Sequence, residues 1–212
     1  MTTVSQAVAI LSHELGEDES FVRQIARRLI DAGILPKGKG RAVPKIDEAG
    51  VVNLLLAVLT TDNIASAESK AATYANLVAK GESENSKFAD FLGAALTDLR
   101  TGSMVACDDD LINYADLQFQ IITTYPAVLL KNVPALPSTQ KFKGTMVFVE
   151  VGKSDRVWQT DKPIRSVTLP GQCLFQIANA MNQLEVTLRE NWSLKQDFEF
   201  ADLALYSKAG HK

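Results

Sequence analysis

The chain has 212 residues, 46% of them hydrophobic and 22% charged, an ordinary balance for a globular chain that can bury one good core or two small ones. Its 22 basic and 25 acidic side chains leave a net charge of −3, which argues against a polybasic protein that coats any anionic surface. No stretch reaches the roughly 20 consecutive apolar residues of a spanning helix, and MTTVSQAVAILSHELGED lacks both a basic leader and a small-residue cleavage site, so the expectation is a cytoplasmic protein with no membrane partner.

Residues 4–15 place Val4, Val8, Leu11 and Leu15 on one stripe at helical spacing, and Gly16 suits a left-handed stop. Glu17, Asp18, Glu19 and Ser20 then offer capping oxygens and negative charge for a second helix. In that helix Phe21, Ile25 and Leu29, with Val22, Ala26 and Ile30, form a wide apolar face, and Gly33 ends it. Arg23 and Arg27 are four residues apart and project from the same side; Arg28 also lies off the apolar face. Two short helices around a tight turn, the second with an outward basic row, have the organisation of a helix-turn-helix.

Charge is concentrated in this part of the chain. Arg23, Arg27, Arg28, Lys37, Lys39, Arg41 and Lys45 face a single acid, Asp31, a local balance of +6; with a total of −3, the remainder carries −9. A local patch of this kind fits a docking face of defined shape. Double-stranded DNA is the natural partner, because lysine and arginine that neutralise phosphates release condensed counterions and arginine can fork onto guanine edges. Within GKGRAVPK, Gly38 and Gly40 allow close backbone approach, while Pro44 and, just before the run, Pro36 limit the entropy lost when the loop orders.

The run LSHELGEDESFVRQIARRLIDAGILPKGKGRAVPKIDEAGVVNLLLAVL resembles the winged helix-turn-helix of MerR-type regulators over residues 7–60. In that family an arginine-bearing recognition helix ends in a Gly-(Leu/Ile) step, followed by a basic wing and a helix that starts on an acid and continues in leucines. The matching positions are Arg23, Arg27 and Arg28 on the helix, Gly33-Ile34-Leu35-Pro36 at the step, Lys37, Lys39 and Arg41 in the wing, and Asp47 to Leu59 after it. The resemblance implies Arg23, Arg27 and Arg28 at the groove, with Lys37, Lys39, Arg41 and Lys45 on phosphates. The paired aromatics common in that recognition helix and the family's long dimerisation helix have no counterpart here, so its dimer mode and its metal or drug sensing do not carry over. The pattern AGILPKG…NLLLAVL is also similar to uncharacterised phage and prophage proteins.

A third helix, Asp47 to Thr60, is apolar almost all round and needs cover on several sides. An alanine-rich helix of about four turns follows and breaks at Gly81. SKFADFLGAALTDLR is amphipathic, with Phe88, Phe91, Leu92, Ala95, Leu96 and Leu99 inward, and ends at Gly102. Short β-rich runs come next, LQFQIITT, AVLLK, TMVFVEV, RVWQT and IRSVTLP, punctuated by proline, glycine and asparagine. The helix QCLFQIANAMNQLEVTLREN can cover the sheet they form, with Leu174, Ile177, Ala178, Met181, Leu184 and Leu188 inward. The expected fold is α+β: a helical winged helix-turn-helix domain over 1–81, then a small antiparallel-sheet domain with covering helices over 82–212 that oligomerises or receives a partner.

No catalytic centre is legible. His13 sits in the first helix and His211 in the tail, so no dyad, triad or metal cluster forms around histidine. Cys107 and Cys173 are far apart without a Cys-x-x-Cys partner and read as buried thiols. Cys107-Asp108-Asp109-Asp110 lacks calcium-loop spacing and reads as a solvated turn or cap, while Trp158 and Trp192 read as core or interface anchors. No phosphate loop or dinucleotide fingerprint is present. The expectation is therefore a non-enzymatic, cofactor-free and metal-free DNA-binding transcriptional regulator acting as a homodimer. The alternative is a phage assembly or host-interaction protein that uses its helical part for protein contacts.

Overall fold

A computed structural model describes residues 2–38, 43–80, 87–102, 106–107, 110–111, 117–133, 144–150 and 164–184. Helix α1 (Val4–Leu15) starts at a reciprocal cap: Gln6 N donates to Thr3 Oγ1 at 3.3 Å and Thr3 N donates to Gln6 Oε1 at 2.9 Å. It ends on Gly16 with φ +67°. Asp18 caps α2 (Glu19–Asp31), and Asp47 caps α3 (Glu48–Thr60) by accepting from Gly50 N at 2.9 Å. Val22, Ile25, Ala26 and Leu29 of α2 are buried, and so are nine of the thirteen residues of α3. The all-round apolar character of α3 is satisfied by packing against α2, by α4 (Ala67–Ala75), which follows a 3-10 turn at Ile64–Ser66, and by α5 (Phe88–Thr101).

The alanine-rich helix is shorter than its sequence implies. It ends at Asn76, whose Nδ2 donates to Ala72 O at 2.8 Å. Val78 and Ala79 then form a strand, β3 (Val78–Ala79), against the edge of a sheet. Pairing with that edge satisfies backbone groups that the helix would otherwise use, a tertiary effect that outweighs the weak local preference for helix.

Two strands lie near the start of the chain: β1 (Thr2–Thr3) runs antiparallel to β2 (Lys45–Ile46), with Thr2 opposite Ile46 and Thr3 opposite Lys45. Among the described residues, the strand after the basic loop therefore pairs with the chain's start and not with another strand of the loop. A short ribbon joins β4 (Ala106–Cys107) to β5 (Asp110–Leu111). The main sheet contains β6 (Gln118–Ile122), β7 (Ala127–Val133), β8 (Gly144–Val149) and β9 (Ser166–Pro170) in the order β3-β8-β7-β6-β9, all antiparallel. Helix α6 follows β9 over 171–184. RVWQT, Trp158, Trp192, Leu188 and His211 lie outside the described residues.

Strand alternation and register put Phe119, Ile121, Val128, Leu130, Phe148 and Leu169 on one face, where all are buried. Phe88 and Phe91 of α5 pack on this face, with ring centroids 4.9 and 5.9 Å from Phe148 and 6.3 Å each from Phe119. One apolar cluster runs from Val4 through α3 and the sheet to Met181, so packing crosses the boundary expected at residue 81.

Polar contacts cross it as well. The buried Tyr74 hydroxyl on α4 donates to Ile122 O on β6, and burial, followed by Asp62 and Glu150, pushes its pKa well up. Arg100 on α5 pairs with Glu48 at the start of α3, and its Nε donates to Asn182 Oδ1 on α6 at 3.3 Å. Asn182 Nδ2 returns a bond to Arg100 O at 2.9 Å. Cys173 is a buried free thiol 3.5 Å from Glu14 O, with its pKa raised by burial and then by Glu14.

Candidate functional site

The basic segment begins and ends at one point of the core. At its start, Gly33 adopts φ +76°, Ile34 N and Leu35 N both donate to Leu29 O, and the Leu35 side chain is buried. At its end, Val4 N donates to Pro44 O at 3.3 Å and Ile46 is buried. Both apolar anchors meet α3 at Gly50, where an added Cβ would lie 3.0 Å from Ile46 Cβ and 3.4 Å from Leu35 Cδ2. The loop between Leu35 and Ile46 is thus clasped at its base. Lys37 and Lys45 are exposed, as is Val43. Lys39 and Arg41 lie outside the described residues.

The clasp sets the end of the loop beside α2. Arg23 and Arg27 form one wall of a cleft of about 220 Å³ that Ser5 and Pro44 also line. Its floor is apolar, made by Val4 and Val8 of α1 with Ala26 and Ile30 of α2. The structure thus brings Arg23 and Arg27 together with the loop's end, and Lys45 follows directly after Pro44. Arg28 is exposed but does not line the cleft; at about 100° per residue it stands roughly 140° around α2 from Arg23. The three arginines therefore serve two flanks of the helix.

The electrostatics of this face are not uniformly positive. Arg23 forms an ion pair with Glu19, one turn earlier on α2, and both side chains are largely exposed. Asp18 accepts from Phe21 N at 3.0 Å and from the Ser20 hydroxyl, which hold its carboxyl below the usual carboxylate range. Sequence reasoning missed the Glu19 contact although its signal, an acid four residues before an arginine, was present. It also missed Ser5, and it named Pro44 only as a stiffener of the loop; the place of both in the cleft depends on the pairing of β1 with β2.

A larger open groove of about 410 Å³ lies between the outer face of α1 and the end of α6, walled by Ile10, His13, Glu14, Ala180, Gln183 and Leu184 among others. His13 Nδ1 and Glu14 Oε1 are 2.9 Å apart, on an exposed surface. Among the described residues the groove is lined by no serine, threonine, cysteine or lysine, and no cluster of three metal-ligating side chains occurs. Cys107 and Asp110 are opposite each other in the β4–β5 ribbon, while Asp108 and Asp109 lie outside the described residues. No described helix is long and apolar enough to cross a membrane. The chain matches no protein-family model, no curated protein and no solved structure.

Proposed function

We propose that the chain is a DNA-binding protein with a regulatory role, which meets double-stranded DNA through α2 and the basic loop. The observation that carries this reading is the convergence of Arg23 and Arg27 with the clasped end of the loop on one exposed cleft. Arginine and lysine held on a common surface match a row of phosphates, and every phosphate they neutralise releases counterion. In this reading α1 and α2 act as the helix-turn-helix, and the loop takes the part of a wing, with Lys37, Lys39, Arg41 and Lys45 on the backbone, while Arg28 stands on the other flank of α2. A single module covers few base pairs, so the working form is a homodimer.

The groove between α1 and α6 favours a second reading, in which the helical part binds another protein in phage assembly or host interaction; its lining is mostly apolar and open. Fluorescence anisotropy with a labelled duplex separates the two. The DNA-binding reading expects the Arg23→Ala/Arg27→Ala variant to weaken binding roughly tenfold or more and to flatten the dependence of log K on log salt by about 0.9, as the Arg27 phosphate contact is lost while Arg23 is held by Glu19 in the wild type. Binding that ignores both the arginines and the salt would leave the protein-contact reading in its place.

A further inference from the structure

The carboxylates at the start of α2 decide how a duplex can be met. When a helix-turn-helix docks, the N-terminal residues of its recognition helix reach the base edges. In this chain that turn holds Glu17, Asp18 and Glu19, all exposed. Pushed into a groove, they would face the phosphates on both of its sides. The cations lie farther along: Arg27 is about 12 Å of helix beyond Glu19, which exceeds the Debye length of about 8 Å at physiological salt. Around Arg27 the surface changes character, since among the described residues the cleft it shares with Arg23, Ser5 and Pro44 has no acid in its lining.

Building on the DNA-binding reading, we infer that the duplex is met by the flank of α2 and not by its N-terminal turn. A row of phosphates lies over the Arg23–Arg27 cleft and the two exposed ends of the basic loop at Lys37 and Lys45, and the acidic turn stands clear of the groove. Glu19, through its ion pair with Arg23, restrains the affinity for every sequence alike, because a guanidinium engaged by a carboxylate is less available to a phosphate. Glu19 is thus a device that tunes binding strength without reading bases.

The test uses the full chain, two duplexes of equal length and unrelated sequence, and a potassium chloride series followed by anisotropy. Glu19→Gln is expected to raise affinity several-fold on both duplexes and to steepen the salt dependence by about 0.9, the value of one added phosphate contact. Glu17→Gln, at a position with no ion pair among the described residues, should raise affinity less and leave the slope unchanged. Combining Glu19→Gln with Arg23→Ala should abolish the gain. A loss of affinity on one duplex only, with the preference between the two altered, would mean that the turn reads base edges and would overturn the inference. So would an unchanged affinity in Glu19→Gln. If the wild-type chain binds neither duplex, the DNA-binding reading itself fails, an outcome distinct from both.

Discussion

Replacing Gly50 with alanine probes the clasp beneath the basic loop. Alanine is favoured over glycine by up to about 1 kcal/mol in a helix, less in the first turn where Gly50 lies, so propensity alone would stabilise the variant. Against this, the new Cβ would stand 3.0 Å from Ile46 Cβ. That atom is fixed to the β2 backbone, which is paired with Thr2, so no side-chain rotation can relieve the contact. Either β2 or α3 must shift, and overpacking of this kind costs about 1–3 kcal/mol, leaving a net loss of about 1 kcal/mol. Gly93, within α5, is the control: nothing lies within 4 Å of a Cβ built there, so Gly93→Ala should keep most of the propensity gain. Urea denaturation of the two variants and the wild type measures the difference. Because Ile46 at the end of the loop is displaced, Gly50→Ala should also weaken duplex binding, whereas Gly93→Ala should not. A Gly50→Ala protein stabilised as much as Gly93→Ala would refute the clasp.

Two further predictions concern the joins between the helices and the sheet. Tyr74→Phe removes the hydroxyl that Ile122 O accepts and should cost about 1–2 kcal/mol in chemical denaturation. The Tyr74 pKa is raised on folding, so its contribution is complete below the unfolded value of about 10 and is lost as pH rises beyond it. The wild type should therefore lose stability in alkali more steeply than Tyr74→Phe, although Tyr125, also raised by burial, keeps part of the slope in both. Arg100→Met leaves Glu48 and Asn182 without their guanidinium partner in a half-buried setting, and thermal or urea unfolding should show a loss of about 1.5–3 kcal/mol.

Local signals were legible where capping and period agreed. Gly16, the run Glu17 to Ser20, Asp47 and Gly102 mark helix ends in the sequence, the structure selects Asp18 from that run, and α1, α2, α3 and α5 follow the expected apolar stripes. β6 and β9 fall within LQFQIITT and IRSVTLP, β7 runs two residues beyond AVLLK, and β8 starts one residue before TMVFVEV and ends at Val149. Elements defined by a distant partner were not legible. Strands of two residues such as β1, β2 and β3 carry no period of their own, and each exists because another strand satisfies its backbone. For the same reason the shared core across residue 81 could not be read: Leu77, Phe88 and Leu117 look alike whether they close one core or two. At the candidate site the cations were evident from charge alone. Their assembly with Ser5 and Pro44 depends on β1 pairing with β2, and the base of the loop depends on Gly50, whose lack of a side chain matters only because Leu35 and Ile46 meet there.

The central claim is that one surface, formed by α2 and the clasped loop, receives DNA. Backbone amide NMR of the labelled chain, titrated with a duplex, tests it directly. The account predicts shift changes concentrated at Arg23, Arg27, Lys37 and Lys45 and at the first turn of α1 around Ser5, while β6, β7 and β8 stay silent. Shifts confined to the sheet or to the groove between α1 and α6, with the arginines unmoved, would contradict it.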